Sequence, residues 1–190
     1  MKISCAAPIG LIVPKFVTEG IALSHADKLG VIDQGKRFTY RQVLERVYRL
    51  SHGLLNLGIK KGDHIATLMP STHEHIEAHY AIMGLGCPIV AMNTRLVPEE
   101  LAYIVNHSES VTLLVDWEYT HLITPNFKNI KHIIITSGGK KAPELEGIDY
   151  EELLAKSSPE PVDLTTIEDE NSLASIMYTS GTTARPKGVM

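Results

Sequence analysis

From Ile65 to Ile135 the chain alternates short, nearly continuous apolar runs with longer amphipathic ones, and this alternation constrains the fold more than any other feature. Ile65 to Met69, Pro88 to Met92, Val111 to Val115 and His132 to Ile135 are too brief for helices and rich in β-branched residues, so they read as strands. Strands that are apolar throughout bury both faces, which is what a parallel sheet covered on both sides requires. Between them lie helical signals. Pro98 suits the first position of a helix holding Leu101, Ile104 and Val105, Ser71 and Glu74 have capping-box spacing before a helix toward Met83, and a further helix is expected around Glu118 to Thr124. The fold class expected is α/β, a doubly wound, parallel-rich sheet flanked by helices on both faces.

The strongest helix precedes these units. Thr39 and Gln42 form a capping box, Val43, Leu44, Val47, Leu50, Leu54 and Leu55 recur at helical intervals, and Gly58 is placed to end the helix. Before it, Val31 to Asp33 and Arg37 to Thr39 flank Gln34-Gly35-Lys36 as a small hairpin. Residues 143–171 hold ten acidic residues against the single base Lys156, which reads as a solvated connection with one helix near Tyr150 to Ala155. The chain thus divides into an N-terminal extension at 1–15, an α/β subdomain at 16–142, an acidic connecting segment at 143–171, and a strand plus loop at 172–190.

Composition removes some functions. Eighteen Lys and Arg against 22 Asp and Glu give a formal charge of -4, with no broad basic face for nucleic acid. Hydrophobic residues at 44% are enough for a packed core. Cys5 and Cys87 have no partner cluster, so a disulfide framework and a cysteine-rich zinc site are excluded and a reducing cytoplasm fits best. The apolar stretch from Ile3 to Val13 is short and broken by Pro8, unlike a signal peptide, and no run reaches the roughly 18 residues of a membrane span.

Leu173 to Met177 reads as a buried strand running straight into Tyr178-Thr179-Ser180-Gly181-Thr182-Thr183-Ala184-Arg185-Pro186-Lys187-Gly188-Val189. Small residues let a backbone turn sharply and aim N–H groups at an anion, hydroxyls add donors or hold a metal, and lysine supplies the charge that polyphosphate needs. By composition alone the segment is either a phosphate cradle or a polar surface loop. It is not the P-loop of GTPases: Pro186 cannot donate an N–H, and no hydroxyl residue follows Lys187.

Residue for residue, this segment resembles the phosphate-binding loop of the adenylate-forming (AMP-binding) superfamily, which comprises acyl-CoA synthetases, luciferases and peptide-synthetase adenylation domains. The family pattern is Tyr-Thr-Ser-Gly-Thr-Thr-Gly-x-Pro-Lys-Gly-Val, and the chain departs from it only at Ala184, which is expected to adopt an ordinary conformation there. Upstream, Gly35 to Tyr40 is similar to the family's early Thr-Tyr element, Gly58 to Asp63 to its helix-ending turn, and Gly84 to Leu96 to its second core motif. Within the last, Asn93-Thr94-Arg95-Leu96 resembles the acyl-CoA synthetase branch. The resemblance runs from about Phe16 to Met190 and implies the first part of the large N-terminal domain of these enzymes.

The resemblance implies a reaction in two halves, in which a carboxylate attacks the α-phosphate of ATP to give an acyl-adenylate and a thiol, usually CoA, then displaces AMP. Thr179, Ser180, Gly181, Thr182, Thr183 and Lys187 are the expected phosphate-binding residues, with Thr182 the expected Mg²⁺ ligand. The family's adenine and ribose motifs, acyl pocket and lid lysine lie beyond this loop, so the chain is expected to be an N-terminal portion, inactive by itself, whose parent takes a fatty or aromatic carboxylic acid. The alternative is a stand-alone nucleotide- or phosphate-binding or interaction module. Apolar surfaces left by missing segments lead us to expect self-association or a dimer.

Other residues give weaker signals. His73, His75 and His79 share one helix, but Glu77 stands where a His-Glu-x-x-His zinc motif needs its second histidine, so that face is read as solvated and polar. Cys87 and Trp117 are read as packing residues, and there is no Gly-x-Ser-x-Gly nucleophile elbow.

Overall fold

The structure is a computed structural model, which describes residues 20, 22–137, 145–162, 172–179 and 186–190. The extension at 1–15, Phe16, Cys5, residues 163–171 of the acidic segment, and Ser180, Gly181, Thr182, Thr183, Ala184 and Arg185 of the loop lie outside the described residues.

A hairpin comes first, with β1 at Leu29–Asp33 and β2 at Lys36–Thr39 antiparallel. Its turn needs positive φ at two successive residues, and Gln34 (46°) and Gly35 (84°) supply it, the geometry that matches the twist of the flanking strands. Thr39 then caps α1, Tyr40–Asn56, through the expected capping box: Gln42 N–H donates to Thr39 Oγ1, and Thr39 N–H to the Gln42 side chain. Gly58, with φ 85°, follows the end of this helix.

The sheet is built from β3 (Ile65–Leu68), β4 (Ile89–Ala91), β5 (Thr112–Asp116), β6 (His132–Thr136) and β7 (Ile148–Asp149), in the order β4-β3-β5-β6-β7 with every neighbouring pair parallel. The crossovers are α2 (His73–Gly84), α3 (Pro98–His107) and a 3-10 turn at Trp117–Leu122. The last replaces the α-helix expected near Glu118 to Thr124. Asp116 caps it by accepting from the Glu118 N–H, and Pro125 limits its extension.

Both faces are covered, as continuous apolar strands require. Ile65, Leu114 and Ile134 point to one side, where Val47, Leu50 and Leu54 of α1 and Ala78 and Ile82 of α2 meet them; Ala66, Leu68, Leu113, Val115 and Ile135 point to the other, against Leu101, Ile104 and Val105 of α3. Leu50, Leu54, Leu101 and Ile104 have no exposed surface, and burial of each stabilises the fold by about 1.5–3 kcal/mol.

The acidic segment is more than a solvated connection. Residues Ile148–Asp149 form the fifth strand, and α4, Tyr150–Lys156, buries Tyr150 and Leu154 in the α1 side of the core. Ion pairing explains how an acidic stretch can dock there. Arg46 of α1 binds Glu151 through both terminal nitrogens (3.0 and 2.6 Å) and Glu77 of α2 through Nε (2.7 Å), while Tyr150 Oη donates to Glu77 Oε2 at 2.7 Å. Burial pushes the Glu77 carboxyl above its usual range, although Arg46 and Tyr150 oppose this.

Leu173 to Met177 is not one continuous strand. Ser175 forms a single parallel bridge with Ile89 on the outer edge of β4, flanked by Ile89 N–H to Ala174 O (3.0 Å) and Ile176 N–H to Ile89 O (2.9 Å). The chain then leaves the sheet as β8, Met177–Thr179, which pairs antiparallel with β9, Lys187–Val189.

Candidate functional site

Two places merit attention, and the first follows from topology. Chain progression goes from β3 outward to β4, then returns to the other side of β3 for β5, β6 and β7, so the direction switches between β3 and β5. Open α/β sheets form their ligand crevices outside the carboxyl ends of the strands at such a point. There is a cavity of about 160 Å³ there, lined by Asp33, Thr72, His73, Glu74, Asp116 and Trp117 among others.

Its charges answer one another. His73 Nδ1 lies 2.7 Å from Asp33 Oδ2 and 3.0 Å from Glu74 Oε2, the His73 backbone N–H donates to Asp33 Oδ2 at 3.0 Å, and the ring stacks on Phe38 at 4.7 Å. The three ligand-type atoms of Asp33, His73 and Glu74 lie within 4.8 Å of one another. Burial alone would lower the His73 pKa, but the hydrogen bonds to Glu74 and Asp33 outweigh it and raise the value. Burial likewise tends to raise the Glu74 pKa, yet His73 and a backbone N–H hold it down at about 2. An imidazolium between two carboxylates is thus favoured. Asp116 accepts from Glu118 N–H and from Thr136 Oγ1.

Two expectations change here. The start of α2 is not closed by a Ser71–Glu74 capping box: Thr72 is the N-cap residue and its side chain makes no cap bond, and the N–H of His73, the first residue of the helix, donates to Asp33 of the hairpin. Nor is the histidine face solvated. His73 is buried, and His75 and His79 are half-buried, with His75 Nε2 3.2 Å from Thr67 Oγ1 and His79 Nδ1 2.8 Å from His75 O. Burial, aided by the neighbouring His79, lowers the His75 pKa to about 4. Cys87 is buried as expected, and burial raises its thiol to about 11, far from a nucleophile's range.

The second place is the β8–β9 hairpin. Register pairs Met177 with Val189, Tyr178 with Gly188 and Thr179 with Lys187. Of the six phosphate-binding residues expected from the sequence, the structure brings Thr179 and Lys187 together, both exposed, facing each other where the loop leaves and re-enters the hairpin. Ser180, Gly181, Thr182 and Thr183 lie between them in the chain and outside the described residues.

Comparison with known proteins decides the family. The AMP-binding enzyme profile matches residues 19–190, which takes in the sheet, the helices and the hairpin. The chain belongs to the AMP-binding enzyme family. It is 33% identical to the peroxisomal trans-cinnamate:CoA ligase of Petunia hybrida over 186 residues, covering 88% of this chain and 33% of that protein. It is 38% identical to a long-chain-fatty-acid–CoA ligase of Thermus thermophilus over 157 residues, covering 81% of this chain and 28% of that one. The fold matches the crystal structure of the anthranilate CoA ligase AuaEII with anthranoyl-AMP at a TM-score of 0.85 and 23% identity, over 93% of this chain and 34% of that one. The chain therefore spans about a third of the length of these relatives, in their N-terminal part.

Membership of the AMP-binding family directs attention to the hairpin, and there the structure adds residues that the motif alone does not single out. Tyr178 Oη lies 2.7 Å from His107 Nδ1, at the last residue of α3, and the His107 ring lies 5.2 Å from that of Tyr103. The spacing of Tyr103 and His107, four apart on one helix, places their rings together; nothing in the spacing joins them to a residue 71 positions later. Gly188 also gains a reason, since a Cβ there would lie 3.1 Å from Ile176 Cγ2 and 3.2 Å from Tyr178 Cζ. Among the described residues, no helix is long and apolar enough to cross a membrane.

Proposed function

We propose that these residues are the phosphate-binding portion of an ATP-dependent acyl-CoA synthetase. The observation that carries the reading is the β8–β9 hairpin, which sets Lys187 opposite Thr179 at the foot of the loop motif, on the edge of a sheet of the AMP-binding family. The reaction is attack of a substrate carboxylate oxygen on the α-phosphorus of ATP. The bond to the β-phosphate oxygen breaks and pyrophosphate leaves; a thiol, that of CoA, then attacks the acyl carbonyl and AMP leaves. Lys187 supplies a positive charge to the departing phosphates and Thr179 a hydroxyl donor, with Ser180, Gly181, Thr182 and Thr183 completing the loop. Such transfers depend mainly on positioning and on neutralising charge. Mg²⁺, for which Thr182 is the candidate ligand by motif, would neutralise further phosphate charge.

The substrate class is a carboxylic acid. This is supported by relatives whose names specify cinnamate, butyrate and long-chain fatty acids. The 190 residues span about a third of such relatives, so adenylate formation requires groups from outside them. Self-association is supported by the exposed apolar pair Met177 and Val189 on the hairpin.

Calorimetric titration with ATP and with pyrophosphate, in the presence of Mg²⁺, tests the phosphate site: saturable binding that weakens about ten- to a hundred-fold in Lys187→Ala is expected. Absence of binding to the unmodified chain would overturn the reading. Pyrophosphate exchange with cinnamic and fatty acids is expected to be absent, and robust exchange would show that the 190 residues suffice. A purely monomeric mass by light scattering at high concentration would count against self-association.

A further inference from the structure

The hairpin that carries the phosphate motif is joined to the sheet in two ways, and the two are unequal in reach. The backbone joint at Ile89, Ala174 and Ile176 lies upstream of β8. Nearer the loop, among the described residues, the joint is made by rings. Tyr178 comes immediately before Thr179, and its phenol oxygen meets His107 Nδ1 at 2.7 Å with the two rings edge-on, 85° apart and 5.8 Å between centroids. Behind His107 stands Tyr103, one helical turn earlier.

The base of this joint is rigid. Leu101, Ile104 and Val105 of α3 have no exposed surface, and Asn106, beside His107, holds the following loop through Asn106 Nδ2 to Asn126 O (2.8 Å) and Lys128 N–H to Asn106 Oδ1 (2.9 Å). On the hairpin side, Gly188 lies opposite Tyr178 and has no side chain, which leaves room for the Tyr178 ring across β9. A neutral imidazole protonated at Nε2 accepts the phenol hydrogen at Nδ1, and the other tautomer donates to the phenol oxygen; either gives one directed bond.

We propose that His107 is a positioning residue for the phosphate loop, fastening Tyr178 to α3 and so holding Thr179 and Lys187 at the foot of the loop in the geometry that binds polyphosphate. The inference rests on the phosphate-binding reading of the hairpin. Its physical basis is pre-organisation: a loop whose foot is already held loses less conformational freedom when the anion binds. Loss of one such bond is expected to weaken binding about five- to ten-fold.

The experiment uses the 190-residue chain, with Mg²⁺-ATP and pyrophosphate as probes. Dissociation constants are compared for the unmodified chain, Tyr178→Phe, His107→Leu, His107→Asn and the double variant Tyr178→Phe/His107→Leu. Each of Tyr178→Phe and His107→Leu is expected to weaken binding about five- to ten-fold, and the double variant no further than the weaker single one, because the two changes remove one bond. Asparagine places a hydrogen-bonding group near the position of Nδ1, so His107→Asn is expected to recover most of the affinity. Additive losses, or an asparagine variant no better than leucine, would overturn the proposal.

Amide hydrogen exchange gives a readout without ligand. The same variants are expected to accelerate exchange at residues 177–179 and 187–189 while leaving the α3 interior protected, and unchanged exchange in the hairpin would also overturn the proposal. If the unmodified chain binds neither probe, the phosphate-site reading fails, and the exchange data still decide whether His107 holds the hairpin.

Discussion

Thr179 and Lys187 face each other across the β8–β9 hairpin, so a hydroxyl and an ammonium stand at the two ends of one loop. Cross-strand partners lie roughly 4.5–5.5 Å apart, close enough to meet one phosphate group. Because Lys187 is exposed and has no role in the core, Lys187→Ala is expected to leave the thermal midpoint nearly unchanged while raising the dissociation constant for pyrophosphate about ten- to a hundred-fold, the loss of a charge-assisted contact of about 1.5–3 kcal/mol. Calorimetry beside thermal denaturation checks it. A parallel loss of fold and binding would show that Lys187 acts through the hairpin's stability instead.

Gly188 should be intolerant of a side chain. A Cβ at this position would meet Ile176 Cγ2 at 3.1 Å and the Tyr178 ring at 3.2 Å, and Ile176 is buried at the edge of the sheet. Gly188→Ala is expected to displace the Tyr178 ring, cost about 1–3 kcal/mol of local packing and weaken ATP binding. The nuclear magnetic resonance signals of the Tyr178 and His107 rings would report the displacement; unchanged ring shifts would contradict it.

Glu77 is fully buried and depends on Arg46 and Tyr150. Arg46→Leu strands its carboxyl, at an expected cost of about 3–5 kcal/mol, whereas Tyr150→Phe removes one donor for about 1–3 kcal/mol. The pH dependence has a definite sign. Burial already raises the folded-state pKa of Glu77, and loss of Arg46 raises it further, so the folded state holds a proton that the unfolded state has released above its ordinary value of 4.5. The Arg46→Leu deficit, measured by urea unfolding, is therefore expected to be larger at pH 7 than at pH 5.

The His73 cluster responds to pH in a bounded window. Glu74, held at about 2 against an ordinary 4.5, stabilises the fold above pH 4.5 and loses that contribution as pH falls through 2. His73 is raised above 6.5, so its contribution is full below pH 6.5 and is lost as pH rises through its folded-state value. The stability difference between the unmodified chain and His73→Gln is expected to be greatest between about pH 4.5 and 6.5 and to shrink on both sides. A difference that rises steadily to pH 9 would show that the imidazolium is not what Asp33 and Glu74 bind. His75 is present in both proteins, so its opposite, acid-side effect cancels.

Local and sequential features are legible in the order of residues alone. The Thr39–Gln42 box, Pro98 at the head of α3, the apolar runs of β3 to β6 and the loop motif itself are all set by residues within a few positions of each other, where propensity, capping and periodicity act. The features that depart from expectation depend on distant partners. The acidic stretch around Tyr150 has the composition of a solvated segment, and its counter-charge, Arg46, lies on another helix. The start of α2 has the spacing of a self-capped helix, and the residue that takes its N–H, Asp33, belongs to a hairpin 40 residues earlier.

The sequence by itself determined the class of the fold and the likeness of the Tyr178 to Val189 motif to the AMP-binding family's loop, since both are written in short-range spacing. Tertiary structure alone decided how that motif is held. Only the packed sheet turns Ser175 out along Ile89, pairs Thr179 with Lys187, and brings Tyr178 onto His107. Each of these is a contact between residues that one-dimensional periodicity cannot join, because hydrogen bonds and ring contacts form wherever burial of the two core faces leaves the chain.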